Sequence, residues 1–346
     1  MMDLQALRDW FLTNQRDLPW REEHTPYRVW VSEIMLQQTQ ASVVIPYFLR
    51  WMERFPTIKD LADAPLEEVI KLWEGLGYYS RARNLHEGAK KIINHFGGVF
   101  PSKTEDLQSI KGIGPYTIGA IQSFAFHKKS PAVDGNVIRV ITRLLGISDD
   151  MAKAKHQKML QQKVFDLLPD YEPWVISEAL IELGATVCKK KAFCRDCPMN
   201  TQCYANLHGE VEKYPVKTKN VQYTTLHRSV AVILNDQSIL LQQGAKGEVM
   251  EGLYEFPYFE HSTENCITYD VHQILSLNTL VVKTLERELH IFTRYRVHLY
   301  PVLLKACEKF TPPGYCWHSL DNVYSLPFSS GHRRVLVSAQ PDLCRS

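Results

Sequence analysis

Residues 107–121 read LQSIKGIGPYTIGAI, and the turn at the centre of this stretch decides the fold of everything around it. Apolar residues spaced as on one side of a helix run into Gly112-Ile113-Gly114, and Pro115 opens a second segment of small and apolar residues. Proline suits the first position of a helix, where its missing N–H has no partner and its φ is already helical. Glycines let the turn expose backbone N–H groups at the start of that helix, where unpaired donors and the dipole favour an anion such as a phosphate. The pattern is a helix-hairpin-helix, with Gly112 and Gly114 as candidate phosphate contacts. A G-x-G turn between two helices is also an ordinary connection, so the neighbouring segments must carry the argument.

Downstream, PAVDGNVIRVITRLL (residues 131–145) puts Asp134 at the start of an amphipathic helix with Val137, Val140, Ile141 and Leu144 on one face. Aspartate is a common N-cap. A helix start is expected to lower its pKa and keep it ionised, as a group that stabilises a developing cation must be. Upstream, TPYRVWVSEIMLQQTQ (residues 25–40) predicts a helix capped by Thr25 with Pro26 at its first position, and it sets Glu33 among Trp30, Val31, Ile34, Met35 and Leu36. Burial there would raise the pKa of Glu33 toward neutrality, the condition for a general acid at physiological pH. An exposed helix face is the plainer alternative. The polar run Gln37-Gln38-Thr39-Gln40 either ends a solvated helix or reaches bases and sugar edges.

Of the eight cysteines, Cys188, Cys194, Cys197 and Cys203 fall in one short segment and the other four are scattered. No apolar stretch of signal-peptide or membrane-spanning length opens the chain, so an intracellular, non-secreted location and reduced thiols are expected. A tight quartet of reduced cysteines reads as metal ligation. The spacing C-x5-C-x2-C-x5-C suits a 4Fe-4S cubane better than structural zinc, which usually pairs two C-x2-C knuckles; zinc stays open as the second reading. Lys189, Lys190, Lys191 and Arg195 lie among these ligands.

The chain has 346 residues, 45% of them hydrophobic and 23% charged, enough for two globular domains and unlike a disordered or fibrous composition. Its 40 basic and 38 acidic residues leave a net charge of +2, so bulk electrostatics alone does not predict nucleic-acid binding. Residues 1–207 read as successive helices, 208–227 as a polar linker, and 228–346 as a second, α+β domain. Within the last, RSVAVILNDQSILLQ (228–242) holds two apolar runs joined by a polar turn, and 289–305 alternates as a strand or hairpin arm.

Taken in order, the 25–40 stretch, the turn Gly75-Leu76-Gly77-Tyr78-Tyr79-Ser80-Arg81-Ala82, the hairpin, Asp134-Gly135-Asn136-Val137 and the cysteine quartet resemble the iron-sulfur DNA glycosylases of the helix-hairpin-helix superfamily. LQQTQ after Glu33, the tyrosine-rich turn and GLYEFP at 252–257 resemble the MutY-type adenine DNA glycosylases in particular. The resemblance implies an all-α catalytic domain with a 4Fe-4S loop, followed by a nudix-like α+β domain. It implies base-excision repair of double-stranded DNA, with adenine mispaired with 8-oxoguanine or guanine removed by hydrolysis of its N-glycosidic bond to leave an abasic site. Lyase relatives carry a lysine at the place of Tyr116; a phenol cannot form a Schiff base, so a monofunctional enzyme is expected.

By the same resemblance Glu33 and Asp134 are catalytic, Asn136 and Tyr116 hold them, and Trp20, Arg21, Leu36 and Glu178 line the adenine pocket. Gln38 and Tyr78 would wedge into the duplex. Many members read 8-oxoguanine with a Phe-Ser-His turn, matched here by Phe292-Thr293-Arg294, and the first cysteine gap holds five residues where six are usual. The nudix-like domain lacks the paired carboxylates of a metal box in residues 244–262, so pyrophosphate hydrolysis is not expected. A monomer is expected, with no membrane partner, acting in a bacterial nucleoid or a nucleus and handing its product to an abasic-site endonuclease or meeting a replication clamp. Two alternatives are a bifunctional endonuclease III-like glycosylase/lyase and a catalytically silent helix-hairpin-helix DNA-binding protein.

Overall fold

A computed structural model describes residues 3–218, 223–260, 267–292 and 294–343. The chain divides into two compact units, Met1–Asp63 with Asn84–Asn220, and Ala64–Arg83 with Val221–Ser346.

The first unit is helical. The expected hairpin is present: a helix at Thr104–Gln108 leads through Gly112, whose φ of +85° favours glycine, to Gly114 as the N-cap of a helix at Pro115–Ala120. A Cβ on Gly112 would also sit 2.8 Å from that of Asn84, so the turn is closed to other residues on two counts. The second helix runs on into a π-turn at Ile121–Ala125. The helix Gly135–Leu145 buries Val137, Val140, Ile141 and Leu144 against Ile176, Ala179, Leu180 and Leu183 of the helix Pro173–Thr186, with Leu7 and Phe11 of Gln5–Asn14 completing the cluster. These spacings of three and four are the apolar stripe seen in the sequence. The expected linker is structured at its start: Tyr214 is buried, and Val211 and Tyr214 offer their carbonyls to Arg143.

The second unit carries a mixed sheet of eight strands, β1 (Thr224–Asn235), β2 (Ser238–Gln243), β3 (Tyr254–Glu255), β4 (Tyr258–Phe259), β5 (Thr279–Thr284), β6 (Glu288–Phe292), β7 (Tyr295–Ala306) and β8 (Tyr315–Ser319). The main path is β3-β2-β1-β7-β5; β4 pairs with β1, β6 with β7 and β8 with β2. β1 and β2 form the expected tight hairpin, with Asn235 opposite Ser238. β1 runs parallel to β7 over residues 224–234. Alternation along β1 covers both faces. Val230, Val232 and Leu234 pack under the helix Ser330–Leu343, while Ala231 and Ile233 pack under Ile267–Leu275. The expected order, an all-α domain before an α+β one, is what the chain folds into. No helix among the described residues is long and apolar enough to cross a membrane.

Candidate active site

A cleft of about 1080 Å³ opens in the helical unit, and Glu33, Tyr116, Asp134, Asn136 and Glu178 all line it. Glu33 rides on the helix Pro26–Leu36, which begins as expected: Thr25 Oγ1 accepts the N–H of Arg28 and Pro26 occupies the first turn. The helix is buried on nearly all sides, and its one carboxylate is therefore carried inside, 6% exposed. Burial pushes Glu33 up to about 7; Asp134 and Glu178 push the same way, and a hydrogen bond from the Tyr116 hydroxyl opposes them. That phenol is itself held well above its usual range by burial and by the two carboxylates beside it, so it stays a donor.

Asp134 is the N-cap of Gly135–Leu145. Its Oδ1 accepts the Val137 N–H at 2.8 Å and its Oδ2 accepts Asn136 Nδ2 at 2.7 Å. The expected lowering of its pKa does not occur. Burial is the largest influence and lifts it above the ordinary carboxylate range, outweighing the hydrogen bonds from Val137 and Asn136 that pull it down. Asn136 is oriented in turn by Arg139, whose Nη2 donates to Asn136 Oδ1 at 2.9 Å and to the Gly184 carbonyl at 2.7 Å, while its Nε donates to the Cys188 carbonyl at 2.7 Å. Asn136 thus meets Asp134 through one end of its amide and Arg139 through the other.

Glu178 is joined to Arg21, whose Nε donates to Glu178 Oε2 at 3.0 Å and whose Nη2 donates to Glu182 Oε2 at 2.9 Å. Glu182 is fully buried and also receives Arg16. Trp20 lines the cleft and packs its ring edge on Phe48, so it serves wall and core together. Leu36 ends its helix at the cleft, and Gln38 follows it, exposed and at a φ of +58°.

Cys188, Cys194, Cys197 and Cys203 are all half-buried and free of disulfides. Burial, and then one another's charge, hold Cys194, Cys197 and Cys203 above the usual thiol range, Cys197 at about 11. Arg143 threads the loop, donating to Cys188 Sγ at 3.4 Å and to the Lys189 carbonyl at 2.6 Å. Among the described residues no three metal-binding side chains converge closely enough to hold an ion. The four cysteines nonetheless match a cluster in kind: sulfur donors in one short segment, free of disulfides, whose thiolates a bound cation would stabilise against one another's charge.

Residues 31–165 match the model of the HhH-GPD superfamily base excision DNA repair proteins, and residues 229–338 match the NUDIX domain. The chain is 34% identical to an adenine DNA glycosylase of Buchnera aphidicola over 98% of each chain. The chain belongs to the adenine DNA glycosylase family. It is also 33% identical to the rat adenine DNA glycosylase over 95% of its own length and 76% of the relative's. Among solved structures it is similar to a thermostable thymine-DNA glycosylase, with a TM-score of 0.55 and 29% identity over 59% of this chain and 95% of that one. It shares the fold of an endonuclease III trapped on DNA, at a TM-score of 0.52 and 23% identity over 60% of this chain and 94% of the other.

Other residues anticipated for a member of the adenine DNA glycosylase family lie in the second unit or outside the cleft lining. Gly112 and Gly114 form the hairpin turn. Tyr78 is 44% exposed at a φ of +47° in the second unit. Phe292 ends β6 and Arg294 precedes β7, its guanidinium over the Tyr295 ring; Thr293 lies outside the described residues. Sequence reasoning passed over Arg139, Glu182 and Arg16. The first two carried a signal, Arg139 three residues after Asn136 and Glu182 four after Glu178, each on the same helix face as its partner. Arg16 carried none.

Proposed function

We propose that this chain, as an adenine DNA glycosylase, excises adenine paired with 8-oxoguanine or guanine in duplex DNA and leaves an abasic site. The observation that carries the reading is the pairing of a buried glutamate pushed to about 7 with a helix-capping aspartate in one cleft, both beside a single tyrosine. Adenine inside a duplex is out of reach and must be flipped out. Gln38 and Tyr78 would fill the gap it leaves, the Gly112–Gly114 turn would take a backbone phosphate, and Phe292, Thr293 and Arg294 would meet the opposite base.

In the pocket, Trp20, Leu36 and Arg21 wall the base and Glu178 addresses its edge. Glu33, protonated near neutrality, donates to adenine N7 and turns the base into a neutral leaving group. Asp134 faces the sugar as it becomes an oxocarbenium ion. A unit charge about 4 Å from that cation, at an effective dielectric near 20, is worth about 4 kcal/mol, or roughly a thousandfold in rate. Asn136 and Tyr116 keep the two carboxylates in register, and by the family's pattern Asp134 forms a transient sugar adduct before Glu33, now a base, activates water. Tyr116 offers no amine, so no imine forms and the strand stays intact until alkali or another enzyme cuts it.

Cys188, Cys194, Cys197 and Cys203 would hold a 4Fe-4S cluster, which when bound supplies four-point anchoring to the loop and no proton to the reaction.

A single-turnover assay on duplexes with adenine opposite 8-oxoguanine, guanine or thymine, sampled with and without alkali, tests the reading. Adenine loss opposite the first two alone, with breaks only after alkali, is expected. Breaks without alkali would indicate a lyase, and no excision from any duplex would reduce the chain to a binding protein.

A further inference from the structure

The tyrosine turn belongs by packing to the second unit, although the chain enters and leaves it from the helical one. Three glycine-like conformations within four residues shape it: Gly75, Gly77 and Tyr78 have φ of +102°, +71° and +47°. For tyrosine that conformation is strained and must be held by its surroundings. Trp73 Nε1 donates to the Gly77 carbonyl at 3.0 Å, Arg81 Nη2 donates to the carbonyls of Leu76 and Gly77, and the Arg81 guanidinium lies 5.5 Å from the Tyr78 ring.

The turn is then fastened to the C-terminal part of the chain. Arg333 grips Glu74 with both arms, Nε to Oε1 at 2.6 Å and Nη2 to Oε2 at 3.0 Å, and Glu74 Oε1 also accepts the Phe328 N–H. The Tyr79 hydroxyl accepts the Gly75 N–H and donates to the Phe328 carbonyl at 3.2 Å. From Arg333 the contacts continue toward the Phe292 hairpin. Arg333 sits on the helix Ser330–Leu343, whose Gly331 lies so close to His290 that a Cβ would be 2.6 Å from its Nδ1, and the His290 ring packs 4.9 Å from that of Phe292.

We propose that Glu74 and Arg333 are positioning residues that lock the Tyr78 turn and the β6–β7 hairpin carrying Phe292 and Arg294 into one reader of the opposite base, and so set the preference for 8-oxoguanine over guanine. The inference rests on the functional reading above. A bidentate, mostly buried arginine-carboxylate pair fixes both distance and orientation, as a flexible surface pair does not. A wedge that cannot tilt independently of the hairpin is inserted only where the hairpin is seated.

The test compares single-turnover adenine excision opposite 8-oxoguanine and opposite guanine, together with the fluorescence of 2-aminopurine placed beside the opposite base. Glu74→Gln and Arg333→Met are each expected to lower the rate ratio about fivefold to twentyfold and to shrink the fluorescence change on binding. The charge-reversed pair Glu74→Arg with Arg333→Glu should recover part of both. Tyr79→Phe, which removes one hydroxyl from the same fastening, gives a milder drop and serves if the charge variants do not fold. A wild-type preference that every variant keeps, with unchanged fluorescence, overturns the inference alone. Wild-type protein that excises no adenine, or excises it equally opposite both bases, overturns the functional reading and this inference with it.

Discussion

Glu33 in the helical unit and Glu255 in the sheet unit are both 6% exposed, and burial pushes each of them up to about 7. Their surroundings differ. Glu33 lines a cleft, takes a hydrogen bond from Tyr116 and feels two further carboxylates, Asp134 and Glu178. Glu255 is absent from that lining and stands 3.8 Å from Nε2 of His332, whose Nδ1 accepts the Phe256 N–H at 3.0 Å. Burial drives His332 to about 3 and His290 to about 4, so both imidazoles are neutral packing elements at pH 7. A displaced pKa therefore records burial in both units. Open space beside the group and a second carboxylate facing the same space are what distinguish chemistry from packing.

That contrast can be broken by experiment. The largest effect is expected at Asp134→Asn, which keeps the cap and the contact surface but removes the counter-charge: lesion-duplex binding should persist while excision falls roughly a thousandfold. Near-normal turnover would sink the role of Asp134. Next come the two glutamates. A carboxyl with an ordinary pKa of 4.5 raised to about 7 by folding holds its proton better in the folded state, so it adds stability in acid that is lost as pH rises from 4.5 through 7. Glu33→Gln and Glu255→Gln should each raise stability at pH 8 by about 3 kcal/mol, with little effect at pH 4. Only Glu33→Gln should also slow excision, by about a hundredfold; denaturant melts paired with rate assays would separate the two.

A smaller effect is the pH profile itself. With Glu33 as the acid, the single-turnover rate should fall about tenfold for each unit above pH 7, and Glu255→Gln should leave that limb where it is. A limb that moved with Glu255 would erase the distinction. The smallest change is expected at Arg294→His, which restores the histidine usual at that place in the family. It should raise the ratio of rates opposite 8-oxoguanine and guanine by about threefold, within the range of one rim contact, and leave the rate opposite guanine unchanged.

Much of this was legible in the sequence because its signals are short-ranged. Thr25 and Pro26 announce a helix start, Gly112 and Gly114 a turn, Asp134 a cap, and the two apolar runs of 228–242 with the alternation of 289–305 the strands of an α+β domain. For Glu33 the sequence leaves burial and an exposed helix face both open, and packing on nearly all sides of that helix settles it as buried. Asp134 shows where local reasoning fails. A helix start argues for a lowered pKa, yet the depth at which the chain places that start raises it. No spacing links Tyr116 to Glu33, 83 residues away, and only the family resemblance brought the two together.

The sequence by itself determined the element types, the hairpin and the candidate acids, since periodicity, capping and turn chemistry act over a few residues and survive in any context; the family came from the resemblance of its ordered motifs. Tertiary structure alone decided that Glu33 and Asp134 share one cleft with Tyr116, that Arg139 runs from Asn136 to the Cys188 carbonyl, and that residues 64–83 fasten to Arg333. Those outcomes depend on which distant surfaces meet when the core closes. Burial and partner choice, which set both the pKa values and the grip on Tyr78, exist only after that closure.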